Sequence, residues 1–204
     1  MERIKEAIEK AKNQSSLREQ PAPSTRVQVS AKVPKPAVVE APGALDTEIQ
    51  YRQTPVVQLD MAHLERHRIV AHQKLHPASW AFDFLRTQVL QKMDENGWRT
   101  LAVTSPTMES GKTVVAINLA IGIAQQTNRT SLLVDFDLRR PRVASMLGLQ
   151  REVSLNQVLA GQARVDEAMV NPGLPKLVVL PTNRPVPKAS EVLSSPKVGE
   201  LIAE

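Results

Sequence analysis

The sequence predicts an α/β fold with a parallel sheet and helices on both faces. The first observation is a set of three short apolar runs, Thr100–Thr104 (TLAVT), Ser131–Phe136 (SLLVDF) and Leu177–Pro181 (LVVLP), which read as buried strands. The second is what separates them: between the first two, Val114, Val115, Ile117, Leu119 and Ile121–Ile123 form an apolar stripe at helical spacing. Strands that alternate with helices need crossover connections, and crossovers make strands parallel. The third is the junction Ser105–Thr113, a polar loop ending in Gly-Lys-Thr between the first strand and that helix.

The elements follow in chain order. Met1, Ile4, Ala7, Ile8 and Ala11 recur at helical spacing, so residues 1–12 read as an amphipathic helix, equally suited to docking or to a solvated terminus. Residues 13–50 carry Pro21, Pro23, Pro34, Pro36 and Pro42 among Ser, Gln, Ala and Val, the composition of a flexible linker. The remainder, 51–204, reads as one folded domain. Helices are expected over Met61–Val70 and Ser79–Met93, with Phe82, Leu85, Val89 and Met93 sharing a face in the second. The helix after the loop spans Gly111–Gln126. Short helices are expected at Arg142–Leu147, Leu155–Leu159, Val165–Val170, Glu191–Leu193 and Lys197–Ala203.

Composition narrows the function classes. Three Phe, two Trp and one Tyr leave the core to Ala, Val, Leu and Ile. The absence of Cys excludes a disulfide framework and thiolate metal sites, and it suits a cytoplasmic protein. No apolar run approaches the roughly 18 residues of a membrane span, and the charged start lacks the apolar stretch of a secretory signal. The net charge of +5 is scattered, which reads as a solvated surface and gives no expectation of a nucleic-acid partner.

The loop carries the chemistry. A phosphate cradle needs converging backbone N–H groups, a helix N-terminus behind them and a cation within reach. Thr107, Met108, Glu109, Ser110, Gly111, Lys112 and Thr113 supply these. Gly111 lets the backbone approach a phosphate, Lys112 reaches the β- and γ-phosphates, and the Thr113 hydroxyl is placed to bind Mg²⁺. Pro106 and Glu109 stand where small residues are common. Gly-Lys-Thr alone turns up by chance in roughly one in ten chains of this length, so its position between strand and helix matters more than its letters.

Two acids support the reading. A helix over Lys112–Gln126 runs about 22 Å at about 1.5 Å per residue. The strand Thr130–Phe136 returns about 23 Å at about 3.3 Å per residue. Asp135 and Asp137 therefore come back to the sheet edge that carries Lys112, where ligands of open α/β sheets bind. Two acids beside a triphosphate call for a divalent cation between them. The alternative is that they cap a strand end.

The combination TSPTMESGKT, VAINLAIGIAQ and LLVDFDLRRP resembles the bacterial tyrosine kinases of capsule and exopolysaccharide export. In that family the first motif is Walker A and the Asp-x-Asp-x-Arg strand, here Asp135, Asp137 and Arg139, is Walker A′. The likeness runs from about Ser79 to the end and includes SLNQVLAGQARVDEAMV and VLPTNRPVPKASEVLSSPKVGELIAE. It implies a P-loop NTPase fold, ATP with Mg²⁺, and a tyrosine hydroxyl as acceptor. Lys112 would hold the phosphates, Thr113 and Asp137 would bind Mg²⁺, and Asp135 would orient or deprotonate the attacking hydroxyl. The N-terminal helix and linker are similar to members that work with a separate membrane chain-length (co-polymerase) protein, which implies a place at the inner membrane through that partner.

The chain departs from the family pattern in three places. Members continue beyond the LIAE segment with a strand ending in a Walker B Asp, whereas this sequence stops at Glu204, so the sheet is expected to be incomplete. Members end in a tyrosine cluster, and the only tyrosine here is Tyr51. The ring-forming Glu-x-x-Arg-x-x-Arg pattern falls on Trp80, Asp83 and Arg86, of which the last agrees, and homo-oligomerisation stays open. Trp80 and Phe82 read as packing residues. His63 and His67 have a zinc-compatible spacing but no acid at metalloprotease spacing, and read as solvated or capping. Asn118 reads as a satisfied helix polar group or a tether, and Arg139, Arg140 and Arg142 as exposed charge. Two other functions stay open, a P-loop ATPase switch and a nucleotide-binding regulatory partner without catalysis. The second lysine of the switch proteins would fall at Thr107.

Overall fold

The structure is a computed structural model that describes residues 54–125 and 129–203. The expected helix over 1–12, the linker over 13–50, and Tyr51 lie outside the described residues. Among the described residues, eight helices and two strands follow in order: α1 Met61–Arg66, α2 Ser79–Asn96, α3 Lys112–Ala124, β1 Ser131–Val134, α4 Val143–Leu147, α5 Leu155–Leu159, α6 Val165–Ala168, β2 Leu177–Leu180, α7 Ala189–Leu193 and α8 Pro196–Ala203.

The strands are parallel, with Ser131 opposite Leu177 and Val134 opposite Leu180. The pleat sends successive side chains to opposite faces, and each face has its own core. Leu133, Leu177 and Val179 join Leu64, Ile69, Ile117, Ile121, Val143 and Leu147, the side of α1, α3 and α4. Val134 and Leu180 join Leu155, Ala168, Ala189 and Leu201, the side of α5 to α8. Helices on both faces of a parallel sheet are what the alternating pattern predicted.

Local chemistry sets the helix ends. The Asp60 carboxylate accepts from the Ala62 N–H at 2.9 Å and starts α1. That helix closes at Arg66, short of the expected Val70, because Arg68 turns into the left-handed region at a φ of 60°. Gly97, with a φ of 67°, ends α2. Ser154 and Gln157 form a reciprocal capping box at α5.

One expected strand does not form. Thr100–Thr104 takes no regular secondary structure and pairs with no strand among the described residues, and Leu101 and Val103 are 49% and 36% exposed. A groove of about 1770 Å³ separates it from the free edge of β1 and is lined by both. Side chains of an extended run are buried by what packs on its faces, and Leu101 and Val103 stay largely uncovered by the described residues. Trp80 is likewise not a packing residue. It is 74% exposed and stacks on Phe84 at 6.4 Å, whereas Phe82 turns inward onto the core.

Candidate nucleotide site

The loop leaves Thr104 and folds back on the Thr107 carbonyl. That oxygen accepts from the Ser105 hydroxyl at 2.9 Å and from the Ser110 hydroxyl at 3.2 Å. Two residues sit in the left-handed region, Glu109 at 58° and Gly111 at 89°. The second suits glycine. The first places a side chain where glycine is favoured, and the departure at Glu109 is therefore a real backbone feature. After Gly111 the chain enters α3, a 13-residue helix whose first turn has no side-chain cap. Its first N–H groups are open to an anion, and the helix dipole adds to their pull.

Lys112, the first residue of α3, reaches across to the end of β1. Its Nζ lies 2.7 Å from Asp137 Oδ2, both side chains being about one quarter exposed (30% and 22%). The other Asp137 oxygen accepts from the Arg140 N–H at 3.0 Å. Burial pushes the Asp137 carboxyl up, but the hydrogen bond from Lys112, the Arg140 and Arg139 amides and the lysine charge together hold it below the ordinary value.

Asp135 is differently employed. It is buried, and its Oδ2 accepts from the Arg142 and Val143 N–H groups at 3.1 and 3.0 Å, while Oδ1 accepts from the Asp137 N–H at 3.1 Å. Desolvation raises its carboxyl above the ordinary value against those three amides, and the Asp137 charge raises it further. This geometry is that of a cap on the strand end and on α4, with both oxygens taken. Thr182, buried on the far side, donates to the Asp135 carbonyl at 2.7 Å and fixes the same corner.

The expected site residues thus fall into three groups. Thr107 to Thr113 form one continuous loop and first turn. Lys112 and Asp137 meet directly. Asp135 stands behind Asp137 and holds it. Thr113 and Asp137 line the same groove, and a hydroxyl and a carboxylate are hard oxygen ligands that suit Mg²⁺.

A clamp missed in its extent by the sequence reading braces α3 from the other side. Asn118 is fully buried, its Oδ1 accepts from the Val70 and Ala71 N–H groups at 2.8 Å each, and its Nδ2 donates to the Arg68 and Val114 carbonyls. One signal was present: a lone amide on the apolar face of a helix needs partners. The histidines tie the same region. His63 Nε2 meets the Ser145 carbonyl at 2.8 Å and His67 Nδ1 meets the His63 carbonyl at 2.9 Å, which is a capping role. Arg139 donates to the Ser190 hydroxyl at 2.8 Å.

This loop, the helix behind it and the acid-tipped parallel strand define a P-loop nucleotide-binding fold of the α/β class. No family model matches the chain. The tyrosine-protein kinase YwqD of Bacillus subtilis is 32% identical over 120 residues, 59% of this chain and 50% of that protein. The tyrosine-protein kinase wzc of Salmonella typhi is 31% identical over 119 residues, 58% of this chain and 16% of that protein. The chain thus spans at most about half the length of these curated relatives. Among solved structures, the kinase domain of the Escherichia coli tyrosine kinase ETK superposes with a TM-score of 0.62 at 26% identity, covering 73% of this chain and 62% of that one. The BceF tyrosine kinase domain gives 0.60 at 23% identity, covering 74% and 64%. By sequence and fold together, the chain is similar to tyrosine-protein kinases of bacteria.

Proposed function

We propose that the chain binds ATP with Mg²⁺ through Thr107–Thr113 and transfers the γ-phosphoryl group to a tyrosine, as an autokinase of exopolysaccharide or capsule export. The observation that carries the reading is the junction itself. A left-handed Gly111 opens an uncapped helix whose first residue, Lys112, lies 2.7 Å from an acid at the end of the neighbouring strand.

Phosphoryl transfer asks the protein for position and charge rather than for an unusual nucleophile. The amides opening α3 and the Lys112 ammonium would hold the phosphates. Thr113 and Asp137 would hold Mg²⁺, which supplies charge neutralisation between the β- and γ-phosphates. Asp135 would keep Asp137 at that edge, acting as a positioning residue. No helix of the described residues is long and apolar enough to cross a membrane. From the likeness to the capsule and exopolysaccharide kinases, the reading includes a membrane chain-length protein as partner, with the chain on the cytoplasmic side.

A second reading is a nucleotide-dependent regulatory switch without kinase activity. Incubation with Mg²⁺·ATP and an added glutamate–tyrosine copolymer separates the two. The kinase reading expects phosphotyrosine that disappears in Lys112→Ala. Release of free phosphate with no phosphotyrosine would favour the switch.

A further inference from the structure

We propose that Asp137 gates the phosphate loop: it holds the Lys112 ammonium until a divalent cation takes the carboxylate, so nucleotide without cation meets an occupied lysine. The proposal rests on reading Ser105–Thr113 as a nucleotide site.

Lys112 is the cation of the loop, and it is already paired. Its Nζ stands 2.7 Å from Asp137 Oδ2, and both side chains are largely withdrawn from water, so the pair is screened less than one on the open surface.

The acid is the fixed partner of the two. Its Oδ1 accepts from the Arg140 amide at 3.0 Å, and its own N–H donates to Asp135 Oδ1 at 3.1 Å. Asp135 is in turn anchored by the Arg142 and Val143 amides. None of these bonds depends on Lys112. The carboxylate therefore stays at the mouth of the loop whether or not the lysine leaves, and the long lysine side chain is what moves.

A polyphosphate arriving without a cation meets two obstacles at this point. It competes with Asp137 for Lys112, and it faces the negative charge of Asp137 itself. A divalent cation on the carboxylate removes both at once, because Asp137 exchanges an ammonium for the cation and the freed Lys112 turns to the phosphates. Much of the Mg²⁺ dependence of binding then resides in Asp137 rather than in the Thr113 hydroxyl. The coupling is reciprocal, so bound nucleotide tightens the cation by the same factor.

An ordinary metal ligand predicts something different. Its loss weakens binding in Mg²⁺ and, in the absence of the cation, relieves only the repulsion between carboxylate and phosphate.

The test is calorimetric binding of ADP and ATP to the full chain, in Mg²⁺ and in EDTA. Wild type, Asp137→Asn and Thr113→Ala are compared, with thermal unfolding to verify each fold and Asp137→Ser as the substitute if Asp137→Asn does not fold. The gate predicts that Asp137→Asn binds nucleotide in EDTA about three- to tenfold more tightly than wild type, the effect of a partly buried ion pair. Its gain on adding Mg²⁺ shrinks by at least that factor. Thr113→Ala loses part of the Mg²⁺ gain and shows no tightening in EDTA. Affinity of Asp137→Asn in EDTA at or below wild type overturns the gate while leaving the nucleotide site intact. Wild type that binds nothing even in Mg²⁺ overturns the underlying reading and the gate with it.

Discussion

Leu177–Leu180 and Thr100–Thr104 are both short and apolar, yet they lie in opposite surroundings. In β2, Leu177 and Val179 are fully buried and Leu180 is 1% exposed. Val179 exchanges hydrogen bonds with Val170 at 2.8 and 2.9 Å on one side while β1 runs parallel on the other. In Thr100–Thr104, Leu101 is half exposed and no described strand lies alongside. Hydropathy specifies that a run prefers to be covered, and neighbours decide whether it is. The consequence for the site is an asymmetry. The acid side, from β2 through β1 to Asp135 and Asp137, is anchored in both cores, while the loop is braced mainly from behind by α3 and Asn118.

The largest expected effect contrasts the two runs directly. Leu177→Ala should cost about 2–5 kcal/mol of stability, as for other buried leucines, and Leu101→Ala less than about 1 kcal/mol. Equal shifts in denaturant unfolding would mean that Thr100–Thr104 is covered in solution. Next comes Asn118→Ala, which strands the Val70 and Ala71 amides in the core and should cost about 2–3 kcal/mol. A change below about 0.5 kcal/mol would show that the clamp is not needed to hold α3.

The paired acids give a finer contrast. Asp135→Asn should cost about 1–3 kcal/mol, because an amide cannot accept from three N–H groups as the carboxylate does. Asp137→Asn should cost less than about 1 kcal/mol, the scale of a partly exposed ion pair. Their pH dependences should also oppose. The Asp137 carboxyl lies below its ordinary value of 3.8, so its stabilisation is full above that value and is lost as pH falls through the lower folded one. The Asp135 carboxyl lies above 3.8, so stability declines as pH rises from 3.8 to its folded value. Unfolding curves between pH 2 and 6 should lose the first slope in Asp137→Asn and the second in Asp135→Asn.

The smallest effect on stability belongs to the open edge. Leu132 on β1 is 50% exposed beside the groove, and an uncovered apolar edge is a template for association. Leu132→Lys should leave the melting temperature nearly unchanged and reduce concentration-dependent aggregation seen by light scattering. Aggregation that persists unchanged would move its origin elsewhere, the exposed Trp80–Phe84 pair being next.

Much of this was legible in the sequence because it depends on near neighbours. The helical stripe of α3, the return of Asp137 to Lys112 and the alternation of strands and helices all follow from spacing. What was not legible depends on distant partners. Thr100–Thr104 looked like a strand because its letters are those of one, and only the open flank shows otherwise. Asp135 and Asp137 are two residues apart and chemically identical. The amides of Arg142 and Val143, which separate a buried cap from an acid at the site mouth, arrive from the far end of a loop. Asn118 could be marked as needing partners, but not matched to residues 48 positions upstream.

The central claim is that Gly111–Thr113 opens a nucleotide site whose cation is Lys112. Calorimetric titration of wild type and Lys112→Ala with ATP in Mg²⁺ tests it most directly. The account predicts saturable one-to-one binding by wild type and none detectable in the variant, with both proteins unfolding at similar temperatures. Equal affinities for the two proteins would contradict it.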